Sequence, residues 1–257
     1  MNDIVRAGDT PMPGIRRIAF DRPWHWLRLG WNDFLRMPAL SLTYGAILVA
    51  ISFALTLGFW QLDAFYMVLP AAAGFAFLAP LLAVGLYQAS RDLNAGRRPN
   101  FLETLSAYRR NAGQLALIGF VLMFFHLAWV RVATLLFALF FNTATPSWQY
   151  LVESILFSPQ SLPFLVIGTA IGAAFAVMVF AISAVSIPML LDRDTSAITA
   201  IFSSVSAVRI NWRPMALWAV LIGGFVAVGI ATLYVGLAVC LPLIGHASWH
   251  AYRDLIE

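Results

Sequence analysis

Long stretches without any charged residue constrain this chain more than any other feature. Six uninterrupted runs contain no Asp, Glu, Lys or Arg: residues 37–62, 64–90, 111–130, 132–152, 154–191 and 214–252. A helix needs about 20 apolar residues to cross the roughly 30 Å hydrocarbon core of a bilayer. Soluble domains rarely repeat uncharged runs of this length. The sequence therefore predicts an all-α integral membrane protein.

The composition supports this prediction and excludes other classes of protein. Hydrophobic residues make up 61% of the chain and charged residues only 11%, far from the averages of soluble domains. All sixteen basic residues are arginines, and arginines beside hydrophobic spans set membrane orientation. We therefore expect the lipid bilayer as the partner and no nucleic acid. The single cysteine, Cys240, excludes an intramolecular disulfide.

The uncharged runs predict six transmembrane helices arranged as three hairpins. The first four cover residues 39–60, 64–90, 112–141 and 162–191. The last run, 214–252, would be about 60 Å long as one helix, roughly twice the thickness of the hydrocarbon core. Two short crossings with a turn near residues 229–236 fit better. A five-span arrangement remains the alternative.

The arginines predict the orientation of these helices. In the six-span arrangement, fifteen of the sixteen arginines lie on one side, and the positive-inside rule makes that side cytoplasmic. We therefore predict a multi-pass protein of the bacterial inner (plasma) membrane with both termini in the cytoplasm. Residues 1–22 lack the apolar core of a signal peptide. They are expected to form a flexible tail before a single six-helix domain over residues 23–257.

Each predicted hairpin follows a short amphipathic segment that is expected to lie in the membrane interface. The segments cover residues 24–37, 100–110 and 195–211. Their predicted apolar faces consist of Trp24, Leu27, Trp31 and Leu35 in the first, Phe101, Leu105 and Tyr108 in the second, and Ile198, Ile201, Phe202, Val205 and Val208, pointing inward, in the third. Pro80 precedes Arg91 by eleven residues, as Pro242 precedes Arg253. This pattern indicates a threefold repeat, with the general composition of membrane proteins as the alternative explanation.

A group on the last predicted helix is the main candidate for chemistry. His246, Trp249, His250 and Arg253 are spaced i, i+3, i+4 and i+7, so they share one helical face. Two histidines four residues apart can chelate a metal, and a buried histidine can ligate haem. His126 on the third helix is a further candidate. Because no third ligand is identifiable, no cofactor is expected, and haem or metal binding at these histidines is the alternative to interhelical hydrogen bonding.

Small residues on the fourth predicted helix indicate close packing. Gly168 and Gly172 are four residues apart, a spacing that lets helices approach each other. Internal packing is expected there, and Trp249 and Arg253 are likewise assigned to packing or to an interface. The sequence contains no Ser/His/Asp or Cys/His set, no phosphate loop and no paired carboxylates within a span. We therefore predict no catalytic residue and no enzymatic activity.

Several short motifs resemble a known family. They are GHASWHAYRDL at residues 245–255, LPL at 241–243, WNDF at 31–34 and YG at 44–45. Together they resemble a bacterial family of integral membrane proteins of unknown function, some of whose members are labelled cytochrome c oxidase subunit I-like. The resemblance covers residues 20–257. It implies a compact multi-span protein of the inner membrane and supplies no established activity, and no oxidase active-site residue is transferred.

Three functions are compatible with these observations. The preferred one is a non-enzymatic accessory or scaffold component of a respiratory or other membrane complex, because apolar and aromatic surface is ample and no catalytic set is found. The second is a transporter or channel for a small or lipid-like solute, with a path lined by His126, Ser183, Ser186 and His246. The third is a haem or metal protein that uses His246 and His250.

Overall fold

The computed structural model describes residues 13–142 and 147–257, and these residues form twelve α-helices. The helices are α1 (Arg22–Arg36), α2 (Pro38–Gln61), α3 (Val68–Leu82), α4 (Val84–Asn94), α5 (Phe101–Ser106), α6 (Ala112–Phe141), α7 (Trp148–Phe157), α8 (Ser161–Ser183), α9 (Ser186–Asp192), α10 (Ala197–Ile210), α11 (Trp212–Ala231) and α12 (Leu237–Leu255). Short 3-10 turns occupy Phe65–Met67 and Ala107–Arg109. Among the described residues the only β-type pairing is one bridge between Ile15 and Ile256. The predicted all-α fold is confirmed.

Five helical segments of the described chain are long and apolar enough to cross a membrane. They are Pro38–Gln61, Pro70–Asn94, Ala112–Phe141, Ser161–Asp192 and Trp212–Ala231. The last helix, α12, is not among them, so the six-span prediction is not confirmed and the five-span alternative fits. At most 33% of the apolar stretch of each candidate span is buried. By contrast, α12 is buried over most of its length and includes polar residues such as His246 and His250.

Two of the candidate spans consist of two consecutive helices because the regular structure is interrupted near a proline. Pro80 lies in the last turn of α3, and α4 begins at Val84. Pro188 lies in the first turn of α9, which follows α8 after a break at residues 184–185. Proline has no amide hydrogen and clashes with the carbonyl of the preceding turn, which explains the break before Pro188.

Contacts within the chain divide it into two compact units. The described part of the first unit comprises residues 13–49, Pro80–Ile118 and Ala181–Glu257. The second unit comprises Ala50–Ala79 and Gly119–Phe180. The division falls within α2, α3, α6 and α8. The single domain that the sequence predicted over residues 23–257 stays a prediction.

The first unit has a threefold arrangement of helices. Helices α4, α9 and α12 contact one another, and each is packed against one amphipathic helix: α5 on α4, α10 on α9, and α1 on α12. Along the chain, α5 follows α4 and α10 follows α9, whereas α1 and α12 are the first and last helices. The contact between α1 and α12 therefore closes a ring of three helix pairs. This is the arrangement that a threefold repeat would produce.

The contact between α1 and α12 is close and partly ionic. A Cβ atom on Gly30 would lie only 2.7 Å from the backbone nitrogen of Ala247. Arg22 donates two hydrogen bonds of 2.7 and 2.8 Å to the carboxylate of Asp254, and the indole of Trp26 donates a third of 2.9 Å. Burial disfavours the charged carboxylate, but these bonds outweigh it and lower the pKa of Asp254. The start of α1 is thus anchored to the end of α12.

Each amphipathic helix leaves several large apolar side chains exposed, and on α10 the side chains that face the first unit are small. The buried residues of α10 are small: Ala197, Ala200, Ser203, Ser204 and Ala207. Exposed large apolar residues include Ile198, Phe202 and Val205 on α10, Trp24, Trp31 and Leu35 on α1, and Leu102 and Leu105 on α5. The prediction that Ile198, Phe202 and Val205 point inward is therefore wrong. Small side chains let helices pack closely, and large apolar ones are stable in the lipid interface.

The first described residues are docked on the first unit. The backbone N–H of Arg16 donates to the carbonyl of Leu255 at 2.9 Å. The side-chain amide of Asn211 donates to the carbonyl of Arg16 at 2.9 Å and accepts from the N–H of Ile18 at 3.0 Å. Hydrogen bonds therefore hold this part of the segment that the sequence predicted as a flexible tail. Residues 1–12 of that tail lie outside the described residues.

Candidate functional site

His246 joins three helices of the first unit through its two ring nitrogens. Its Nε2 atom lies 3.0 Å from Oγ of Ser41 on α2, and its Nδ1 atom lies 2.9 Å from Oγ of Ser90 on α4. All three residues are fully buried, with 0% exposure. A neutral imidazole donates through one nitrogen and accepts through the other, so both hydroxyls have a partner. Neither nitrogen can bind a metal unless one of these bonds breaks.

His250 has a different partner on a different helix. Its Nε2 atom donates to Oδ2 of Asp33 on α1 over 2.8 Å, and both side chains are buried. A buried carboxylate requires a hydrogen bond or an opposite charge, and His250 supplies it. His246 and His250 share a helical face, as predicted. In the structure, however, they have separate partners: His246 bonds to two serines and His250 bonds to an aspartate.

The other two residues of this face have contrasting environments. Trp249 is 1% exposed and packs on Tyr252 with 5.4 Å between the ring centroids. Its indole nitrogen has no hydrogen-bond partner among the described residues. Arg253 is exposed and donates to Asp192 at 3.2 Å. Asp192 also accepts from Arg91 at 3.0 Å and from the hydroxyl of Tyr252 at 2.9 Å, so it connects the ends of α4, α9 and α12.

His126 belongs to the second unit, where it packs on a glycine. A Cβ atom on Gly74 of α3 would collide with the Nδ1 atom of His126. This Nδ1 atom is buried and has no hydrogen-bond partner within the described part of the chain. The glycine thus provides the space that the imidazole occupies between α3 and α6.

The second unit contains an apolar cavity of about 580 Å³. Side chains from α3, α6, α7 and α8 form its walls, and the lining residues include Trp129, Phe137, Phe164, Gly168, Thr169 and Gly172. Almost the entire surface of the cavity is apolar. This cavity was not predicted from the sequence. Small residues on facing helices line it, such as Ala73 on α3, Ala133 on α6 and Ala176 on α8, but such residues are equally common where helices pack closely.

Gly168 and Gly172 differ in what they do for the second unit. A Cβ atom on Gly168 would meet no atom within 4 Å, whereas one on Gly172 would lie 2.9 Å from the ring of Trp129. The indole nitrogen of Trp129 donates to the carbonyl of Pro70 at 3.1 Å, which orients the ring. The first glycine therefore leaves part of the cavity open, and the second makes room for an aromatic side chain.

The path of the alternative transporter hypothesis and the alternative metal site at the histidines have no counterpart in this cavity. None of His126, Ser183, Ser186 and His246 lines it. Ser186 donates to the carbonyl of Ile182 at 2.6 Å, while Oγ of Ser183 is buried without a partner among the residues that the structure describes. Over the described ranges 13–142 and 147–257, no group of three or more His, Cys, Asp or Glu residues is placed to hold a metal ion.

Comparison with known proteins gives one match. A family model described as a predicted integral membrane protein (DUF2189) matches residues 68–192, from the first residue of α3 to the last residue of α9. No curated protein and no solved structure is significantly similar to this chain. The match confirms the resemblance to an integral membrane family of unknown function. It does not confirm the oxidase-like label, because the family description names no activity.

Proposed function

We propose that this chain, whose residues 68–192 match the DUF2189 model of predicted integral membrane proteins, binds the hydrocarbon chain of a lipid. The observation that carries the proposal is the apolar cavity of about 580 Å³ in the second unit. Its volume lies within the range of about 300–1,000 Å³ typical of ligand pockets. Three of the helices around it belong to candidate membrane spans. Lipid tails are therefore the most abundant apolar molecules near it.

The walls of the cavity suit a hydrocarbon chain better than a polar solute. Trp129, Phe137 and Phe164 supply broad apolar surfaces, and the indole N–H of Trp129 is already used by Pro70. Transfer of a chain from lipid into the cavity gains no hydrophobic free energy, because both environments are apolar. Affinity would instead come from dispersion contacts with a preformed wall.

Filling the cavity tests this proposal. Gly168→Leu adds a side chain where a Cβ atom meets nothing within 4 Å, and Gly58→Leu is the matched control because its Cβ atom also meets nothing within 4 Å and Gly58 does not line the cavity. We expect a phospholipid with a photoreactive acyl chain to label residues around Trp129 in the wild type and in Gly58→Leu. Labelling should fall strongly in Gly168→Leu, because the added side chain occupies space that the acyl chain would fill. Equal labelling of all three proteins would refute the proposal.

The accessory or scaffold role expected from the sequence is the alternative proposal. It is supported by the use of the buried polar side chains: His246, His250 and Asp33 all bond to groups of the same chain, as in a structural element. Purification in mild detergent followed by cross-linking and mass spectrometry should then reveal a stoichiometric protein partner. A reproducibly solitary protein would count against this role.

Haem or metal binding is the third proposal, and the contacts of His246 weigh against it. Both of its nitrogens lie within 3.0 Å of serine hydroxyls, so a ligand would have to displace at least one of them. The absorption spectrum and metal content of the purified protein decide the question. A Soret band or a stoichiometric metal would support the proposal, and the absence of both would end it.

We further propose that α12 leads the chain back across the membrane, so that residues 13 and 257 both face the bacterial cytoplasm. The five candidate spans, if all of them cross, leave residues 38 and 231 on opposite sides of the membrane. The bond between Arg16 and Leu255 supports a return of α12 to the side of residue 38. The 19 residues of α12 span about 28 Å. The arginine distribution favours the cytoplasmic assignment. In a background without Cys240, cysteines at Asp63 and at Glu257 should be labelled from opposite sides, and labelling from the same side would contradict this topology.

A further inference from the structure

We infer that the first unit binds the anionic headgroups of phospholipids at three sites, one at each junction between an amphipathic helix and the membrane span that follows. The junctions are those from α1 to α2, from the 3-10 turn Ala107–Arg109 to α6, and from α10 to α11. The three junction sites are distinct from the cavity of the second unit. The junctions bind lipid headgroups, whereas the proposed ligand of the cavity is a lipid tail.

Each junction carries exposed arginines that have no acidic partner. They are Arg36 at the first, Arg109 and Arg110 at the second, and Arg209 and Arg213 at the third. Within the described residues, no carboxylate lies within 4 Å of any of these guanidinium groups. By contrast, Arg22, Arg91 and Arg97 of the same unit are paired with aspartates. The junction arginines therefore do not stabilise the fold through ion pairs and are available to an external anion.

The same combination of residues occurs at all three junctions. The helix before each one exposes large apolar side chains to the surroundings: Trp31 and Leu35 on α1, Leu102 and Leu105 on α5, and Phe202 and Val205 on α10. Apolar side chains followed by arginine are typical of a helix that lies at the level of the lipid headgroups. Because this combination occurs three times in one ring of helix pairs, chance is a poor explanation for it.

The chemistry of the junctions suits a phosphodiester. A guanidinium group can donate two parallel hydrogen bonds to phosphate oxygens. At the third junction, the guanidinium carbon of Arg213 lies 5.2 Å from the ring centroid of Trp212, and tryptophan favours the headgroup region. Each junction also lies at the beginning of a long helix, α2, α6 or α11, whose dipole adds partial positive charge. These features favour anionic over zwitterionic lipids.

Native mass spectrometry of the purified full-length protein tests this inference. The probes are phosphatidylglycerol and phosphatidylcholine with identical acyl chains. We expect up to three molecules of phosphatidylglycerol to bind more tightly than phosphatidylcholine. Each arginine near an anionic headgroup contributes about fivefold in affinity. Arg36→Gln should weaken one site about fivefold, and Arg109→Gln/Arg110→Gln and Arg209→Gln/Arg213→Gln should each weaken one site about 25-fold, while the other two sites stay unchanged.

The control is Arg98→Gln, which removes an exposed arginine of the same unit that is not at a junction and has no carboxylate within 4 Å among the described residues. It should keep all three sites. Equal binding of the two lipids, or an equal loss in the control and the junction variants, would overturn the inference. Gly168→Leu should keep the preference for phosphatidylglycerol, so this test and that of the cavity can fail independently.

Discussion

At the scale of single residues, the polar side chains of α12 are explained by the partners they find in other helices. The imidazole of His246 bonds to Ser41, which is 205 positions away in sequence, and to Ser90, which is 156 away. These contacts lie in a fully buried environment, where an unsatisfied hydroxyl or imidazole is costly. His246, which the sequence indicated as a candidate ligand, therefore serves first of all to connect α12 to α2 and α4 through hydrogen bonds.

The substitution His246→Leu tests this structural role. It leaves the buried hydroxyls of Ser41 and Ser90 without their partner, and each unsatisfied group costs about 1–3 kcal/mol. We expect the free energy of unfolding to fall by roughly 2–4 kcal/mol, measured as a lower thermal midpoint in detergent. The triple variant that adds Ser41→Ala and Ser90→Ala should recover part of this loss, and a triple variant as unstable as the single one would contradict the explanation.

At the scale of helices, the amphipathic segments were located correctly, whereas the orientation of α10 was not. The sequence separates apolar from polar positions but does not say which surroundings each face meets. In water the large apolar face would turn to the protein. Beside lipid the small residues pack on the protein instead, as Ala200 and Ala207 do, with 0% exposure each.

Two substitutions on α10 distinguish these orientations. Ala200→Leu adds three carbons to a fully buried position and should lower the free energy of unfolding by about 1–3 kcal/mol. Phe202→Ala removes a side chain that is 60% exposed and should change it by less than about 1 kcal/mol, because few protein contacts are lost. Thermal unfolding in detergent measures both. If Phe202→Ala lowered the free energy of unfolding more than Ala200→Leu does, the result would support the inward orientation of Phe202.

At the scale of the whole molecule, the first and last helices complete the first unit. Helix α12 contacts α4, α9, α11 and α1, so the final helix is surrounded by helices of the first unit that lie far apart in the sequence. Its lower apolarity follows from these surroundings, because a helix shielded from lipid by protein can carry serines and histidines that are hydrogen-bonded. The ring of three helix pairs is therefore complete only when α1 docks.

Gly30→Leu tests the closure of this ring. A Cβ atom at Gly30 would lie 2.7 Å from the backbone of Ala247, whereas one at Gly113, the control position, would meet nothing within 4 Å. We expect Gly30→Leu to lower the free energy of unfolding by at least about 2 kcal/mol and to raise hydrogen exchange in α1. Gly113→Leu should keep wild-type stability and exchange. Unchanged exchange of α1 in Gly30→Leu would show that α1 does not depend on this contact.

Much of the fold followed from local sequence because lipid imposes local requirements. A charge-free run of sufficient length predicts a helix wherever it occurs, and the five candidate spans lie where these runs do.

The candidate site was less predictable. The spacing of His246 and His250 identified their common face, but their partners come from α1, α2 and α4. Glycine and alanine are compatible with close packing and with a void, so the cavity had no distinctive pattern.

The amino-acid sequence by itself determined that the chain is helical, that it is embedded in a membrane and where its amphipathic segments begin. Those properties depend on hydrophobicity and charge over short stretches. Only the tertiary structure decided that α12 is buried in protein, that α10 turns its large side chains outward and that Gly168 leaves a cavity. Each of these depends on which distant residues become neighbours, and neighbours that are far apart in sequence are set by packing.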